Sequence, residues 1–391
     1  MTTAKRKQAA GRGETPPPFF GKEVRTLVVK IGTALLSNQQ GFDGAVMEGM
    51  VKELADLKNK HGINILIVTS GAVGCGMRIL NMQQRPRTLP LKQATAAIGQ
   101  SRLMHYYETL FEAYGDGIKV GQVLLSAREL DERRSYLNIR NTVKALFDLE
   151  CVVPIINEND SVATDELSFG DNDTLAARIA VKIDADLCII LSDVDGLFDK
   201  NPARHANAKL IRHVPSITPE IEALAGGAAG EHSVGGMKTK LDAARIACAA
   251  GVPLVIANGR RKEVIHSVLE DAGPMTTFGK PHHSMPQRKR WIAFGRTARG
   301  QLVIDDGACK ALLTQGRSLL AAGVKAVNGV FDMGDSVQII DGTGRAIARG
   351  LVNYSSEDIA RIKGKKSAEI KGILGRQDFD ELVHRDNLAL L

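Results

Sequence analysis

Cys151-Val-Val-Pro-Ile-Ile156-Asn-Glu-Asn-Asp160-Ser-Val-Ala-Thr-Asp-Glu-Leu-Ser-Phe-Gly-Asp171-Asn-Asp173-Thr-Leu175-Ala-Ala-Arg-Ile-Ala-Val181 is the stretch on which the fold turns. A short apolar run bounded by turn residues predicts a buried strand over 151–156, and the pattern over 175–181 predicts a helix. The acids and amides are therefore expected in the loop between them. Open parallel sheets bind small molecules there, outside the carboxyl ends of their strands.

The same arrangement recurs along the chain. Arg25-Thr-Leu-Val-Val-Lys-Ile31 is a β-branched run that stops at Gly32-Thr33 and delivers Lys30 near its end. A lysine within an apolar strand is costly unless its ammonium meets an anion or reaches the surface, so Lys30 is a candidate for function. A helix is expected over 44–60, with Val46, Met50, Leu54 and Leu57 on one face. The strand Ile63-Asn-Ile-Leu-Ile-Val68 then enters Thr69-Ser-Gly-Ala-Val-Gly-Cys-Gly76, a turn that offers backbone N–H groups to an anion. Its spacing matches neither G-x-G-x-x-G nor a P-loop. Helices dominate 90–145 around the strand Gly121-Gln-Val-Leu-Leu125; there, the Ala and Gly residues of Lys92-Gln-Ala-Thr-Ala-Ala-Ile-Gly-Gln100 suit close helix packing or a subunit interface.

Downstream, Leu187-Cys-Ile-Ile-Leu191 ends in Ser192-Asp193-Val-Asp195-Gly196. The glycine-rich loop from Gly226 to Lys240 leads into the helix Leu241-Asp-Ala-Ala-Arg-Ile-Ala-Cys-Ala249, so that helix N–H groups, glycines and Lys240 form a candidate phosphate clamp. Val252-Pro-Leu-Val-Ile-Ala257 is read as the last strand of this body. Strands alternating with helices give an α/β class, with a mainly parallel sheet sandwiched by helices.

Composition sets the limits. A chain of 391 residues, 44% of them hydrophobic, suffices for two or three domains. Its apolar runs are too short to cross a bilayer, so no membrane partner is expected. Residues 1–23, with Lys5, Arg6, Lys7, Arg12 and Pro16-Pro-Pro18, read as a disordered basic arm rather than a secretory signal. Five scattered cysteines without a C-x-x-C predict reduced thiols and a cytoplasmic protein. The net charge of +7 is terminal: residues 281–391 hold 17 Lys/Arg against 12 Asp/Glu, and residues 1–24 hold 5 against 2. Such an excess permits nucleic-acid contact and is equally a solvated surface. The Pro/Gly/His-rich stretch 272–298 reads as a linker, its His282-His283 as solvated rather than metal-bound. Beyond it, short runs such as Gly300-Gln-Leu-Val-Ile304 and Ser336-Val-Gln-Ile-Ile340 alternate with glycine turns, a small β-barrel pattern.

Six motifs in order carry a resemblance: Val-Val-Lys-Ile-Gly32, Ile-Val-Thr-Ser-Gly-Ala72, Ile-Asn-Glu-Asn-Asp160, Gly-Asp-Asn-Asp173, Ser-Asp193 with Gly-Leu197, and Gly-Gly-Met-Lys-Thr-Lys240. With them the chain resembles the amino acid kinase family over about 24–380, and within it the members that phosphorylate the side-chain carboxylate of L-glutamate, the first step of proline biosynthesis. Residues 24–271 would be the kinase domain, and 299–380, with Gly329-Val-Phe-Asp-Met-Gly-Asp-Ser-Val337 and Gly350-Leu-Val-Asn-Tyr354, resemble a PUA domain, a fold best known from RNA-modifying proteins.

The resemblance implies ATP as phosphoryl donor with Mg2+, and it implies roles. Lys30 and Lys240 would stabilise the transferring phosphoryl group, and Asp173 would orient them or help hold the magnesium. Asp160 would receive the substrate's ammonium, Asn157, Asn172 and Ser70 would bind the rest of it, and Asp171 is either a site residue or a turn former. Ser192, Asp193 and the run Val234, Gly235, Gly236, Met237, Lys238, Thr239 and Lys240 would face the nucleotide. Relatives commonly carry Thr at the positions of Ser192 and Val234; Ser192 keeps the hydroxyl and Val234 loses it. Feedback by proline and a homo-oligomer, dimer or tetramer, are implied as well. The alternatives are another amino acid kinase, acting on aspartate, acetylglutamate or uridylate, and an RNA-binding protein acting through the C-terminal module.

Overall fold

The computed structural model describes residues 18–19, 21–38, 41–42, 44–126, 129–130, 133–162, 172–225, 236–279, 292 and 298–391. Most of the basic arm, Asp171, Val234, Gly235 and His282-His283 lie outside them. By backbone proximity the chain forms two units: 1–127, 139–248 and 252–281 make one, and 128–138, 249–251 and 282–391 the other.

The larger unit is built on eight strands: β1 (Thr26–Ile31), β2 (Asn64–Val68), β3 (Lys119–Leu125), β4 (Val152–Glu158), β5 (Leu187–Ser192), β6 (His213–Val214), β7 (Leu254–Asn258) and β8 (Met275–Phe278). Their order across the sheet is β6-β8-β7-β5-β1-β2-β4-β3. From β7 to β3 every pairing is parallel; β8 runs against β7 and pairs in parallel with β6. β1 and β5 have buried or nearly buried side chains throughout, as a parallel sheet covered on both faces requires.

The helices are α1 (Gly44–His61), α2 (Ala72–Ile79), α3 (Leu89–Tyr114), α4 (Arg133–Asp148), α5 (Asn172–Lys182), α6 (Pro219–Ala225), α7 (Met237–Ala249) and α8 (Val264–Leu269). Leu27, Val29 and Ile31 of β1 join the core that α1, α3 and α8 cover. Val28 and Lys30 face the other way, by the two-residue period of a strand. The chain enters the sheet at its middle, runs outward through β2 and returns at β5 on the other side of β1. That switch leaves a crevice at the carboxyl ends of these strands.

Three expectations change. Asn172 and Asp173 do not lie in the loop: α5 begins at Asn172, so both occupy its first turn, and Asn157 and Glu158 still belong to β4. The helix expected from Leu241 starts at Met237, which puts Lys238, Thr239 and Lys240 in the first turn of α7. The strand ending near residue 257 is not the last. Within the stretch read as linker, Met275–Phe278 is fully buried and hydrogen-bonded to β7 and β6; four residues flanked by Gly and Pro carry too little periodicity to announce a strand. Thr276 secures it, its hydroxyl donating to the Ile211 carbonyl at 2.7 Å and accepting from the Leu197 N–H at 2.8 Å. Gly196, at φ +152°, fits beneath that hydroxyl, where a Cβ would come within 2.3 Å.

The smaller unit contains β9 (Gly300–Ile304), α9 (Asp306–Gln315), β10 (Val324–Gly329), β11 (Ser336–Ile340), β12 (Ala346–Leu351), α10 (Ser356–Ile362), α11 (Ser367–Leu374) and β13 (Leu388–Leu390). The barrel pattern is realised as a five-stranded mixed sheet of order β10-β9-β11-β12-β13, bent by register shifts at Val303/Ile304 and Ile339/Ile340. Leu302, Val337, Ile339, Ile359 and Ile362 form its core. Among the described residues no helix is long and apolar enough to cross a membrane.

Candidate active site

Lys30 is the penultimate residue of β1, and its side chain is 5% exposed on the face that α5 covers. Its Nζ lies 2.5 Å from Asp173 Oδ1. From the first turn of α7, Lys240 Nζ lies 3.1 Å from Asp173 Oδ2, with its own side chain 6% exposed. Thr239 adds a hydroxyl 3.3 Å from the same oxygen and 2.8 Å from the Gly236 carbonyl. Two ammonium groups from residues 210 positions apart in sequence thus share one carboxylate.

The cluster is unbalanced. Its three side chains sum to one positive charge, and burying ions costs several kcal/mol each unless they are compensated (roughly). Asp173 stands in the first turn of α5, where the helix dipole favours an anion. Lys238 and Lys240 stand in the first turn of α7, where that dipole disfavours a cation. Residual positive charge together with the N-terminal ends of two helices is suited to a polyanion such as a nucleotide's phosphates.

On the other side of Asp173 is a set of amides. Asn172 Nδ2 donates to the Thr69 carbonyl at 2.6 Å, and it lies 2.8 Å from Ser70 Oγ and 3.0 Å from Asn157 Oδ1. Asn157 Nδ2 donates to Gln100 Oε1 at 2.8 Å, and its Oδ1 accepts the Glu158 N–H at 2.9 Å. Ser70 precedes Gly71, whose φ of +100° opens α2 and holds the turn in a conformation that side chains resist. Asp160, just beyond β4, is partly buried. Burial raises its carboxyl above the ordinary range, and the nearby charges of Lys92 and Arg85 oppose that rise. A buried acceptor of this kind is suited to an incoming ammonium.

Among the residues expected to face the nucleotide, Ser192 closes β5, buried, and its hydroxyl donates to the exposed Asp193 at 3.1 Å. Met237 is half-buried and Lys238 exposed at the start of α7. Magnesium was the other expected role of Asp173. Both of its oxygens are held by ammonium groups, and among the described residues no group of three or more His, Cys, Asp or Glu could hold a metal. A divalent cation on that carboxylate would face two like charges, so the donor set does not fit one.

Lys30, Asp173 and Lys240 therefore converge, as do Ser70, Asn157 and Asn172, while Asp171, Val234 and Gly235 are outside the described residues. Sequence reading missed Gln100, a lone amide on an Ala/Gly-rich helix that nothing in its spacing distinguishes. It also missed the pair Thr69 and Tyr107, whose oxygens lie 2.8 Å apart beneath the turn. Burial pushes that phenol up, so it remains protonated.

The model of the amino acid kinase family matches residues 25–258, and that of the PUA domain matches 300–374. The chain is 49% identical over 370 residues to the glutamate 5-kinase of Moorella thermoacetica, covering 94% of this chain and 97% of that protein. It is 45% identical to the glutamate 5-kinase of Caldanaerobacter subterraneus (93% and 97%) and 44% identical to that of Carboxydothermus hydrogenoformans (95% and 98%).

Proposed function

The chain belongs to the amino acid kinase family, and from that premise we propose that it transfers the γ-phosphoryl group of ATP to the side-chain carboxylate of L-glutamate. The product is L-glutamyl 5-phosphate, and the reaction opens proline biosynthesis. The observation that carries this reading is the buried Lys30–Asp173–Lys240 cluster lying directly beside the Asn172 amide network.

The acceptor needs no general base, because a carboxylate is already ionised at neutral pH. What the protein supplies is position and charge. Lys30 approaches from the strand end and Lys240 from the helix end, one on each oxygen of Asp173. That clamp sets the spacing of two groups that would otherwise repel, and it aims both at the equatorial oxygens of the moving phosphoryl. Asp173 is assigned to the lysines and not to magnesium. Ser192, Asp193 and the 234–240 segment take the nucleotide. Asp160 takes the substrate's ammonium, and Ser70, Asn157 and Asn172 complete the pocket for its amino-acid end.

A reducing cytoplasm suits the five cysteines, all of them free. Self-association through α2 and α3 is supported by Ile79, Leu80, Leu91 and Ile98, each 39–45% exposed. Proline, which shares the substrate's α-groups, is the expected competitor. A coupled assay of glutamate-dependent ADP release, with aspartate, acetylglutamate and uridylate offered in parallel and proline added in turn, decides the matter. Turnover with glutamate, and its loss in a folded Lys240→Ala chain, is expected; preference for another acceptor, or unchanged turnover in that variant, would reject the assignment.

A further inference from the structure

The amide chain beside Asp173 has a direction, and the backbone fixes it from both ends. An N–H can only donate, so the atom of Asn157 that lies 2.9 Å from the Glu158 N–H is its oxygen. The other terminal atom of Asn157 is then NH2, and the atom of Gln100 that meets it at 2.8 Å is again an oxygen. At the opposite end a carbonyl can only accept, so the atom of Asn172 that lies 2.6 Å from the Thr69 carbonyl is its nitrogen. No amide in the chain can be turned over without setting two donors or two acceptors against each other.

Two atoms are left over. Gln100 Nε2, a donor, and Asn172 Oδ1, an acceptor, are both buried and without a hydrogen-bond partner among the described residues. Buried polar groups are nearly always paired, so two orphans of opposite kind on one short chain call for a ligand that accepts at one end and donates at the other. A zwitterion does both.

We propose that Gln100, from α3, is a substrate-binding residue whose Nε2 donates to the α-carboxylate of the amino acid, while Asn172 Oδ1 accepts from its α-ammonium beside Asp160. The assignment rests on the reading of the chain as an amino acid kinase acting on glutamate, and it adds the residue that recognises the acceptor's carboxylate end. Asn157 links the two contacts and holds both amides in register. Gln100 therefore sets specificity for an α-amino acid over a plain dicarboxylate or amine, and it takes no part in phosphoryl transfer.

The test uses the full chain and two variants, after the wild type has been shown to turn over glutamate; a wild type inactive on glutamate defeats the functional reading and not this one. Gln100→Glu keeps the acceptor for Asn157 but replaces the donor with an anion. Its KM for glutamate should rise about 100-fold, with the KM for ATP unchanged, since the carboxylate would then meet a like charge. Inhibition by 4-aminobutyrate, which is glutamate without its α-carboxylate, should be unaltered. Gln100→Met, neutral and of similar length, covers the case in which a buried glutamate prevents folding; it should raise the KM for glutamate about 10-fold, again without moving 4-aminobutyrate. In either variant, an unchanged KM for glutamate, or equal losses for glutamate and 4-aminobutyrate, overturns the proposal, the second outcome marking a purely structural role. Where 4-aminobutyrate does not compete in the wild type, the divergence of the two KM values decides alone.

Discussion

Asp173 is the residue on which the site's electrostatics depend, because its two oxygens meet the ammonium groups of both buried lysines. Asp173→Asn keeps the shape and leaves two ammonium groups facing a neutral amide. A loss of stability of about 3–5 kcal/mol is expected in denaturant unfolding of the nucleotide-free protein. A fall in kcat of about 100-fold to 1,000-fold should accompany it in the ADP-release assay. From the role proposed for Asp160 follows an expectation for the acid side of the pH profile. Its carboxyl must be ionised to hold an ammonium, and burial has raised its pKa, so as pH falls the KM for glutamate should begin to climb earlier than an ordinary carboxylate would allow. Asp160→Asn should weaken binding throughout and remove that acid limb; a limb that survives the substitution assigns it to another group. Lys30 and Lys240 were legible from sequence for a chemical reason: a lysine in an apolar strand, or after a glycine loop, has to be explained. Gln100 was not, since a single amide on a helix gives no such signal until the fold shows what it touches.

Between elements, the α2–α3 crossing positions one side of the site. A Cβ on Gly99 would stand 1.8 Å from the Ala72 carbonyl, and one on Gly76 would stand 1.9 Å from that of Thr95. The Ala/Gly-rich segment read as suited to close packing thus serves a contact between helices within the chain. Gly99→Ala forces the backbones apart, at about 1–3 kcal/mol or more by the usual cost of overpacking, and shifts the neighbouring Gln100. Thermal unfolding should register the loss, and the KM for glutamate should rise more than that for ATP. A second junction joins α1 to α8: the Glu53 carboxylate accepts from the N–H groups of Ile265 at 2.8 Å and His266 at 3.1 Å, and from His266 Nδ1 at 3.2 Å. The hydrogen bond to Glu53, aided by Asp56, raises the His266 pKa above its ordinary 6.5. A group whose pKa is raised on folding stabilises fully below its unfolded value and ceases to do so as pH rises through the folded one. The melting temperature should therefore decline over that interval, and His266→Gln should abolish the slope; an identical slope in the variant would place its origin elsewhere.

At the scale of the whole chain, alternating strands and helices made the parallel sheet legible, and the glycine-punctuated runs made the second sheet so. The short β6 and β8 were hidden, because two and four residues cannot express a period and their burial is decided by neighbours distant in sequence. The C-terminal excess of positive charge left nucleic-acid contact open. Of the described aromatic residues in that unit, Phe331 and Tyr354 are buried in its core, and Phe379 meets Tyr354 edge-on with ring centroids 6.3 Å apart. Stacking platforms for bases are thus scarce among them. RNA binding by the full chain is expected to be weak, indifferent to sequence and lost with modest salt in a titration; tight, salt-resistant binding would contradict this.

The reversed strand Met275–Phe278 also sets a timetable for synthesis. β7 lies against β5 on one flank, and its other flank, from Leu254 to Ala257, waits for Met275–Phe278, encoded later in the message. Until the ribosome has released that stretch, a row of apolar residues keeps bare amides and carbonyls, the kind of edge to which other nascent chains adhere. A pause in translation just before codon 275 would prolong this exposure more than a pause almost anywhere earlier in the message.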